Sequence, residues 1–347
     1  MKRKIAKWMA VATVAAVMLT GCGSDAATEQ PAEEPAQEEV QEQPAEEESS
    51  ESETAQEPAA GGDYLVGFAN NSDTYNYCAK FRTYLKEEVE AKGIEIMVTD
   101  AGGDTNVQNG QIDDFIVQNA NAVSAISNDL DGSVPALEAA KTAGIPYISF
   151  LTSVTGGDDY DGYIYIGSPN YDAGKAQGEY LCEVLPENAQ ILYFTGTPND
   201  QQYIDRKQGL TEALAARDDI EILDEYNVEN AKDKGMSTTE DCLMSYDKFD
   251  AIVCQNDDSA LGVVEALKGA NKLSEVLVLG IDGSDDALAS IKNGEMAMTA
   301  FQDARAQAQA GADVFEQLMN GTSPADIEDV YVPFKIVSAD NVDEYME

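Results

Sequence analysis

The sequence predicts an α/β protein of two doubly wound, parallel-sheet lobes joined by a multi-strand hinge and preceded by a disordered acidic tether. Three observations carry that expectation. From Tyr64 to Val337, short apolar runs alternate with amphipathic helical patterns. The alternation pauses near Leu185 and restarts at Gln190 with no repeat-length self-similarity, which favours two lobes over one large sheet or a solenoid. Finally, the unit from Asp250 to Gly283 is strand, helix, strand at the spacing of one right-handed crossover, so its two apolar runs are parallel neighbours.

Taken in order, the first series opens with a strand at Tyr64–Ala69, a helix at Tyr77–Lys92 stopped by Gly93, and a strand at Glu95–Thr99. A helix at Asn106–Asn119 follows, with Val107, Ile112, Phe115 and Ile116 on its apolar positions. Then come a strand at Ala122–Ser127, a helix at Ser133–Ala143 stopped by Gly144, and a strand at Tyr147–Phe150. Residues 152–162 are polar and glycine-rich, hence a surface loop. The strand Tyr163–Gly167 leads through Ser168-Pro169-Asn170 into a helix ending at Leu185.

In the second series, strands fall at Gln190–Phe194 and Ile220–Asn227, with helices at Tyr203–Ala216 and Lys232–Ser245. The central unit comes next, with runs Asp250–Cys254 and Val276–Ile281 around a helix at Ser259–Lys268. A helix at Asp285–Asn293, a strand at Met298–Phe301 and a long helix from Asp303 to Met319 follow. Short strands at Val330–Pro333 and Phe334–Val337 end the fold.

Ligands of open α/β sheets bind at the C-terminal strand edge. In the central unit that edge carries Asn256 and Asp282. Asp257 and Asp258 can cap the intervening helix and Ser284 the next, which leaves Asn256 and Asp282 without a clear local task and points them to a ligand. If both lobes turn these edges toward each other, a polar crevice lies between them. The first lobe brings Asn70 to Asn76, including Asp73 and Tyr75, then Ser127-Asn128-Asp129 and Leu151-Thr152. The second brings Thr197 to Arg206, Asn230, Asn256 and Asp282, and Gln302 stands where the chain crosses between lobes. In-plane amides and carboxylates, an arginine fork and an aromatic face suit a polyhydroxylated ring.

Composition narrows the function classes. Net charge is −44, from 65 acids and 21 bases. Residues 1–22 hold four of those bases and no acid, and residues 23–62 hold 13 of the acids and no base. The remaining 52 acids and 17 bases still net −35, which disfavours nucleic acid and anionic lipid surfaces as partners. A neutral or cationic small ligand is easier to accept. Histidine is absent, which removes the commonest general base and metal ligand. No cofactor or metal is expected.

The chain begins as an address. Lys2-Arg3-Lys4 precedes an apolar stretch from Ile5 to Leu19, too short to span a bilayer comfortably. It ends in Leu19-Thr20-Gly21-Cys22, which resembles the lipobox of bacterial lipoproteins. That resemblance implies a leader at 1–22 and a lipid on Cys22, holding the protein at the outer face of the cell membrane. Residues 23–62 are Glu, Gln, Pro, Ala and Ser with few apolar side chains, a composition that stays disordered. As a flexible chain they would reach roughly 35 Å. The spacings of Cys78, Cys182, Cys242 and Cys254 suit no metal site. They read as small buried side chains, with a Cys242–Cys254 disulfide the alternative in an exported protein.

Four stretches carry a wider resemblance: Val253-Cys-Gln-Asn-Asp-Asp-Ser-Ala-Leu-Gly262, Val278-Leu-Gly-Ile-Asp-Gly283, Arg206-Lys-Gln-Gly209 and Ile166-Gly-Ser-Pro-Asn170. Together they resemble the type I periplasmic sugar-binding proteins, which include the ribose- and glucose/galactose-binding proteins of ABC importers. The match runs from about Asp63 to the C-terminus. It implies one lobe of residues 63–167 with 302–331 and another of 168–301 with 332–347. It also implies that Asn256, Asp282 and Arg206 hydrogen-bond sugar hydroxyls, that Gln302 is at the hinge and touches the sugar, and that Tyr75 stacks on its ring. Asp73, two residues before that aromatic, is more like the hexose binders. There are departures: Ser127 replaces a common asparagine, Leu151-Thr152 replaces the Asp-Arg pair of ribose binders, and Asn230 sits near a second aromatic position. No calcium loop of the glucose/galactose type is visible.

The resemblance implies a non-enzymatic monomer that captures a small neutral sugar or polyol and delivers it to the transmembrane subunits of an ABC permease. A sensor feeding a chemoreceptor or sensor kinase would use the same site. A hydrolase would instead set Asp73 and Asp282 across the cleft as an acid pair.

Overall fold

The computed structural model describes residues 64–346 apart from 197 and 199. Cys22, the leader at 1–22 and the acidic segment 23–62 lie outside the described residues. In chain order the first series is β1 (Leu65–Asn70), α1 (Asn76–Ala91), β2 (Glu95–Asp100), α2 (Thr105–Val117), β3 (Ala122–Ala125), α3 (Val134–Ala143), β4 (Tyr147–Phe150) and β5 (Tyr163–Gly167). The second series is α4 (Asn170–Val184), β6 (Gln190–Thr195), α5 (Gln201–Leu214), β7 (Glu221–Asn227), α6 (Lys232–Ser245), β8 (Ala251–Cys254), α7 (Asp257–Gly269), β9 (Leu277–Asp282), α8 (Asp285–Lys292) and β10 (Met298–Phe301). Then α9 (Ala304–Met319) and β11 (Val330–Tyr331) rejoin the first series, and β12 (Lys335–Ser338) ends in the second.

Local chemistry sets the helix ends. Asp104 caps α2 by accepting from the Asn106 and Val107 N–H groups, and Ser284 and Asp303 do the same for α8 and α9. Gly144 stops α3 in the left-handed conformation that costs glycine least.

The strands form two six-stranded sheets, ordered β11-β5-β4-β3-β1-β2 and β12-β10-β9-β8-β6-β7. Every pairing is parallel except β12 against β10. That exception has a simple cause. β12 comes directly from β11 in the other sheet, without the helical crossover that forces parallel direction. In both sheets the first strand of the series lies between the second and the third, so the strand order reverses at β1/β3 and at β6/β8. Such reversals open a crevice at the C-terminal strand ends. The chain passes between the sheets three times, after β5, after β10 and between β11 and β12.

Each sheet is buried on both faces. In the first, Val66, Phe68, Ile148 and Phe150 pack with α1 and α9, while Val123, Ala125 and Tyr147 pack with α2 and α3. In the second, Ile191 and Tyr193 of β6 face α4 and α5, and the alternating Leu192 and Phe194 face the α6–α8 side. The sequence reading left a Cys242–Cys254 disulfide open, but all four described cysteines are free thiols.

Two helix pairs of the second sheet approach closely through glycines. A Cβ at Gly174 of α4 would overlap the Arg206 carbonyl of α5, and one at Gly209 would overlap the Tyr171 carbonyl in return. Gly235 of α6 and Gly262 of α7 stand in the same relation to Ser259 and Lys232. Backbone carbonyls cannot swing aside as side chains can. Gly174→Ala is therefore expected to cost about 1–3 kcal/mol, read as a lower urea midpoint at unchanged slope; a wild-type midpoint would refute the close approach.

Candidate ligand-binding cleft

A cavity of about 190 Å³ lies between the two sheets. An apolar cavity of about 150 Å³ accepts a benzene ring, so this one suits a single small ring with its substituents. Its wall is built almost wholly from C-terminal strand ends. Asn71 follows β1, Ile126 to Leu130 follow β3, and Leu151 and Thr152 follow β4. Opposite them, Pro198 and Asp200 follow β6, Glu229 and Asn230 follow β7, Asn256 and Asp258 flank the start of α7, Asp282 ends β9, and Gln302 follows β10. Residues 197 and 199 lie outside the described residues, so the loop expected at Thr197 to Arg206 is described only in part.

Asp282 is held in an unusual backbone conformation, with φ of 124°. Such conformations are costly for a residue with a Cβ and persist where surroundings enforce them. Here the enforcement comes from Asp257, which is 1% exposed. Its carboxylate accepts from the Thr299 hydroxyl at 2.8 Å and from the Ser284 N–H at 2.7 Å, pinning the turn after β9. Burial raises the Asp257 carboxyl, and burial with the neighbouring Asp257 and Asp258 charges raises Asp282 well above the usual carboxylate range. Arg206 works the other way on Asp282.

Arg206 is 4% exposed. Its Nε donates to Asn170 Oδ1 at 2.9 Å and one Nη donates to the Gln255 carbonyl, which aims the guanidinium along the second-lobe wall. Asn256 departs from expectation. It is the cap of α7, with Oδ1 accepting from the Ser259 N–H at 3.1 Å and Nδ2 donating to the Asn230 carbonyl at 3.0 Å. It lines the cavity, but it also has the local task that the sequence reading gave to Asp257 and Asp258. Asn230 lines the cavity at φ of 54°, and its Oδ1 is buried with no partner among the described residues.

On the first-lobe wall, Tyr75 lines the cavity and is 38% exposed. Asn128 also lines it, steadied through its backbone N–H by Gln108 Oε1 at 3.1 Å. Asp73 is not in the wall. Its carboxylate accepts from Asn70 Nδ2 at 2.7 Å and pairs with Arg82 at 3.0 Å, so it braces the loop from behind. Seven of the eight expected contact residues line the cavity, and Asp73 does not.

Sequence reasoning missed Tyr77 and Gln307 among others here. Tyr77, in the first turn of α1, lines the cavity, and its hydroxyl donates to Gln307 Oε1 at 2.5 Å. Gln307, fully buried in α9, also donates to Ser168 Oγ at 2.6 Å. It further receives Gln302 Nε2 at 3.4 Å. One amide thus joins α1 to two of the three crossings. Nothing local in the sequence marks Gln307; Tyr77 was in view as a helix start, one turn from Tyr75.

The lobes touch across the mouth of the cleft. Asn76 Nδ2 donates to Asp258 Oδ1 at 2.6 Å, and Lys80 pairs with Asp285 at 2.8 Å. An exposed pair of this kind is worth about 0–1 kcal/mol, enough to bias closure without locking it.

A periplasmic binding protein domain model matches residues 66–323, well over half the chain. The chain belongs to the type I periplasmic sugar-binding family. A putative rhizopine-binding protein of Rhizobium meliloti is 28% identical over 275 residues, covering 77% of this chain and 88% of its own. An ABC transporter solute-binding protein from Bacillus halodurans C-125, solved with bound myo-inositol, is 28% identical with a TM-score of 0.77, over 82% of this chain and 98% of that one. The Caulobacter myo-inositol-binding protein bound to myo-inositol is 26% identical with a TM-score of 0.75, over 82% and 96%. The family is one of periplasmic binding proteins, and the two solved structures cover 82% of this chain.

Asp257 gives the site a pH signature. Its carboxyl is raised to about 7 in the native state. The native protein therefore binds this proton more tightly than the unfolded chain, and stability falls as pH rises from the ordinary carboxylate range toward 7. Asp257→Asn removes that titration, so the melting midpoint of the empty variant is expected to vary less with pH over this window than the wild type does. Parallel midpoint curves would refute it.

Proposed function

We propose that this chain is a lipid-anchored, extracytoplasmic solute-binding protein that closes on one small sugar or polyol and delivers it to an ABC importer. The observation that supports this most is the cavity itself, small and polar-walled, with each wall supplied by a different sheet. A ligand that contacts both walls favours the closed arrangement by its differential affinity alone. The three crossings are the hinge about which the lobes swing. In this reading the lipid sits on Cys22, residues 23–62 act as the spacer, and the closed form is what the permease subunits recognise.

Each recognised hydroxyl meets a rigid partner. Arg206 donates, Asp282 accepts, and Asn128, Asn230 and Asn256 can do either, while Tyr75 and Tyr77 offer aromatic faces. Hydrogen bonds to charged groups contribute about 1.5–3 kcal/mol each, so a few of them reach micromolar affinity, about −8 kcal/mol. The hydrolase alternative is disfavoured, since Asp73 pairs with Arg82 and does not line the cavity.

The test is a thermal-shift panel of monosaccharides and inositols followed by calorimetry, because a tight ligand raises the midpoint by mass action. Asp282→Asn keeps the shape and tolerates positive φ. It is expected to weaken the best ligand at least about tenfold, or about 1.4 kcal/mol, while the empty protein melts no lower than wild type. Wild-type affinity in that variant would remove Asp282 from the site.

A further inference from the structure

The walls of the cavity are not balanced in charge. Asp129, Asp200, Glu229, Asp258 and Asp282 line it, and Arg206 is the one lining cation among the described residues. Glu229 is matched from outside by Lys234. Lys232 acts on Asp258 and Arg206 offsets one more, which leaves an excess of two carboxyl groups around about 190 Å³. Arg206 is itself partly used, with donors committed to Asn170 and Gln255.

A hydroxyl gives and takes one hydrogen bond with equal ease, whereas an ionised carboxylate only accepts. A wall dominated by acceptors therefore asks for a ligand richer in donors than a plain polyol. The buried Oδ1 of Asn230, without a donor among the described residues, adds one more acceptor. An ammonium group supplies three donors and no acceptor. It is also drawn to aromatic faces, and Tyr75 and Tyr77 stand in the same wall. A cleft lined by one sign of charge between low-dielectric lobes focuses its field inward, so the excess acts on whatever enters.

We infer that the ligand is a cationic polyol, an amino sugar or aminocyclitol, whose ammonium group is seated against Asp258 and Asp282. This rests on the reading of the cleft as a solute site and departs from the neutral ligand expected from sequence. Asp258 suits the role by position. It lies in the first turn of α7, and its Oδ1 already meets Asn76 from the other lobe, so an ammonium here would sit where the lobes close.

Calorimetry of the full folded protein at pH 7 would compare matched pairs: myo-inositol with an inosamine, glucose with glucosamine, and galactose with galactosamine. The amine of at least one pair is expected to bind at least about tenfold tighter than its hydroxyl parent, and N-acetylation is expected to abolish the gain. The gain should shrink with added salt. Asp258→Asn, which can still accept from Asn76, should weaken the amine more than the parent, with the melting midpoint confirming its fold. Equal or tighter binding of the hydroxyl parents overturns this inference and leaves the solute-binding reading intact. A gain untouched by Asp258→Asn overturns the assigned seat. Binding by neither series overturns both.

Discussion

The second-lobe half of the cleft depends on one buried carboxylate. Asp257 sits beneath the ends of β9 and β10, held by Thr299 and the Ser284 N–H. Everything around it is shaped to admit it. A Cβ at Gly280 would collide with its Oδ1, and one at Gly283, where φ is 72°, would collide with the Phe301 ring. Between those two glycines lies Asp282, with its own positive φ. A buried charge without good partners would be expelled or neutralised. Asp257 has its partners, and raises the carboxyl of Asp282 through proximity. On the proposed reading Asp282 meets the ligand, and donors brought by that ligand would offset the cost of its burial.

A second constraint recurs in both lobes as a buried glutamine. Gln108 of α2 donates to the Ala69 and Ile126 carbonyls, at 3.1 and 2.8 Å, and Gln177 of α4 donates to the Cys254 and Gly280 carbonyls, at 2.9 and 3.0 Å. Each amide stitches the ends of two strands where the ladder gives out and backbone carbonyls would otherwise go unpaired. The strand ends that line the cavity are thereby fixed before any ligand arrives. Gln307 does a different job, since it links α1 with Ser168 and Gln302 on the chain's crossings. Rigid half-sites and a hydrogen-bonded hinge follow from the same side chain used in two settings.

Much of this architecture was legible in the sequence, because apolar runs and helical periodicity depend on near neighbours. Strand ends were legible too, and with them Asn128, Arg206, Asn230, Asn256, Asp282 and Gln302 as cavity-lining residues. What failed were choices between near-equivalent partners. Any of Asn256, Asp257 and Asp258 could cap α7; packing beneath β9 took Asp257 inward, so the cap fell to Asn256. Asp73 was placed by its spacing from Tyr75, and the structure pairs it with Arg82 of α1, a partner that spacing did not indicate. The antiparallel β12 and the role of Gln307 depend on how distant segments meet, and no local pattern encodes that.

The acidity of the body and the acidity of the cleft are separate matters. Surface carboxylates are screened over about 8 Å at physiological salt, and many here are matched by nearby lysines and arginines. They set solubility and repel anionic partners. Carboxylates of the cavity act in a partly desolvated space, where each charge is felt by the others: burial raises Asp200, Asp258 and Asp282 together. Such a wall is unfavourable unless something offsets it. On the proposed reading, closing a cleft lined this way costs free energy while it is empty, and donors brought by a ligand would offset that cost. Charge inside the cavity would then couple closure to occupancy as well as select the occupant.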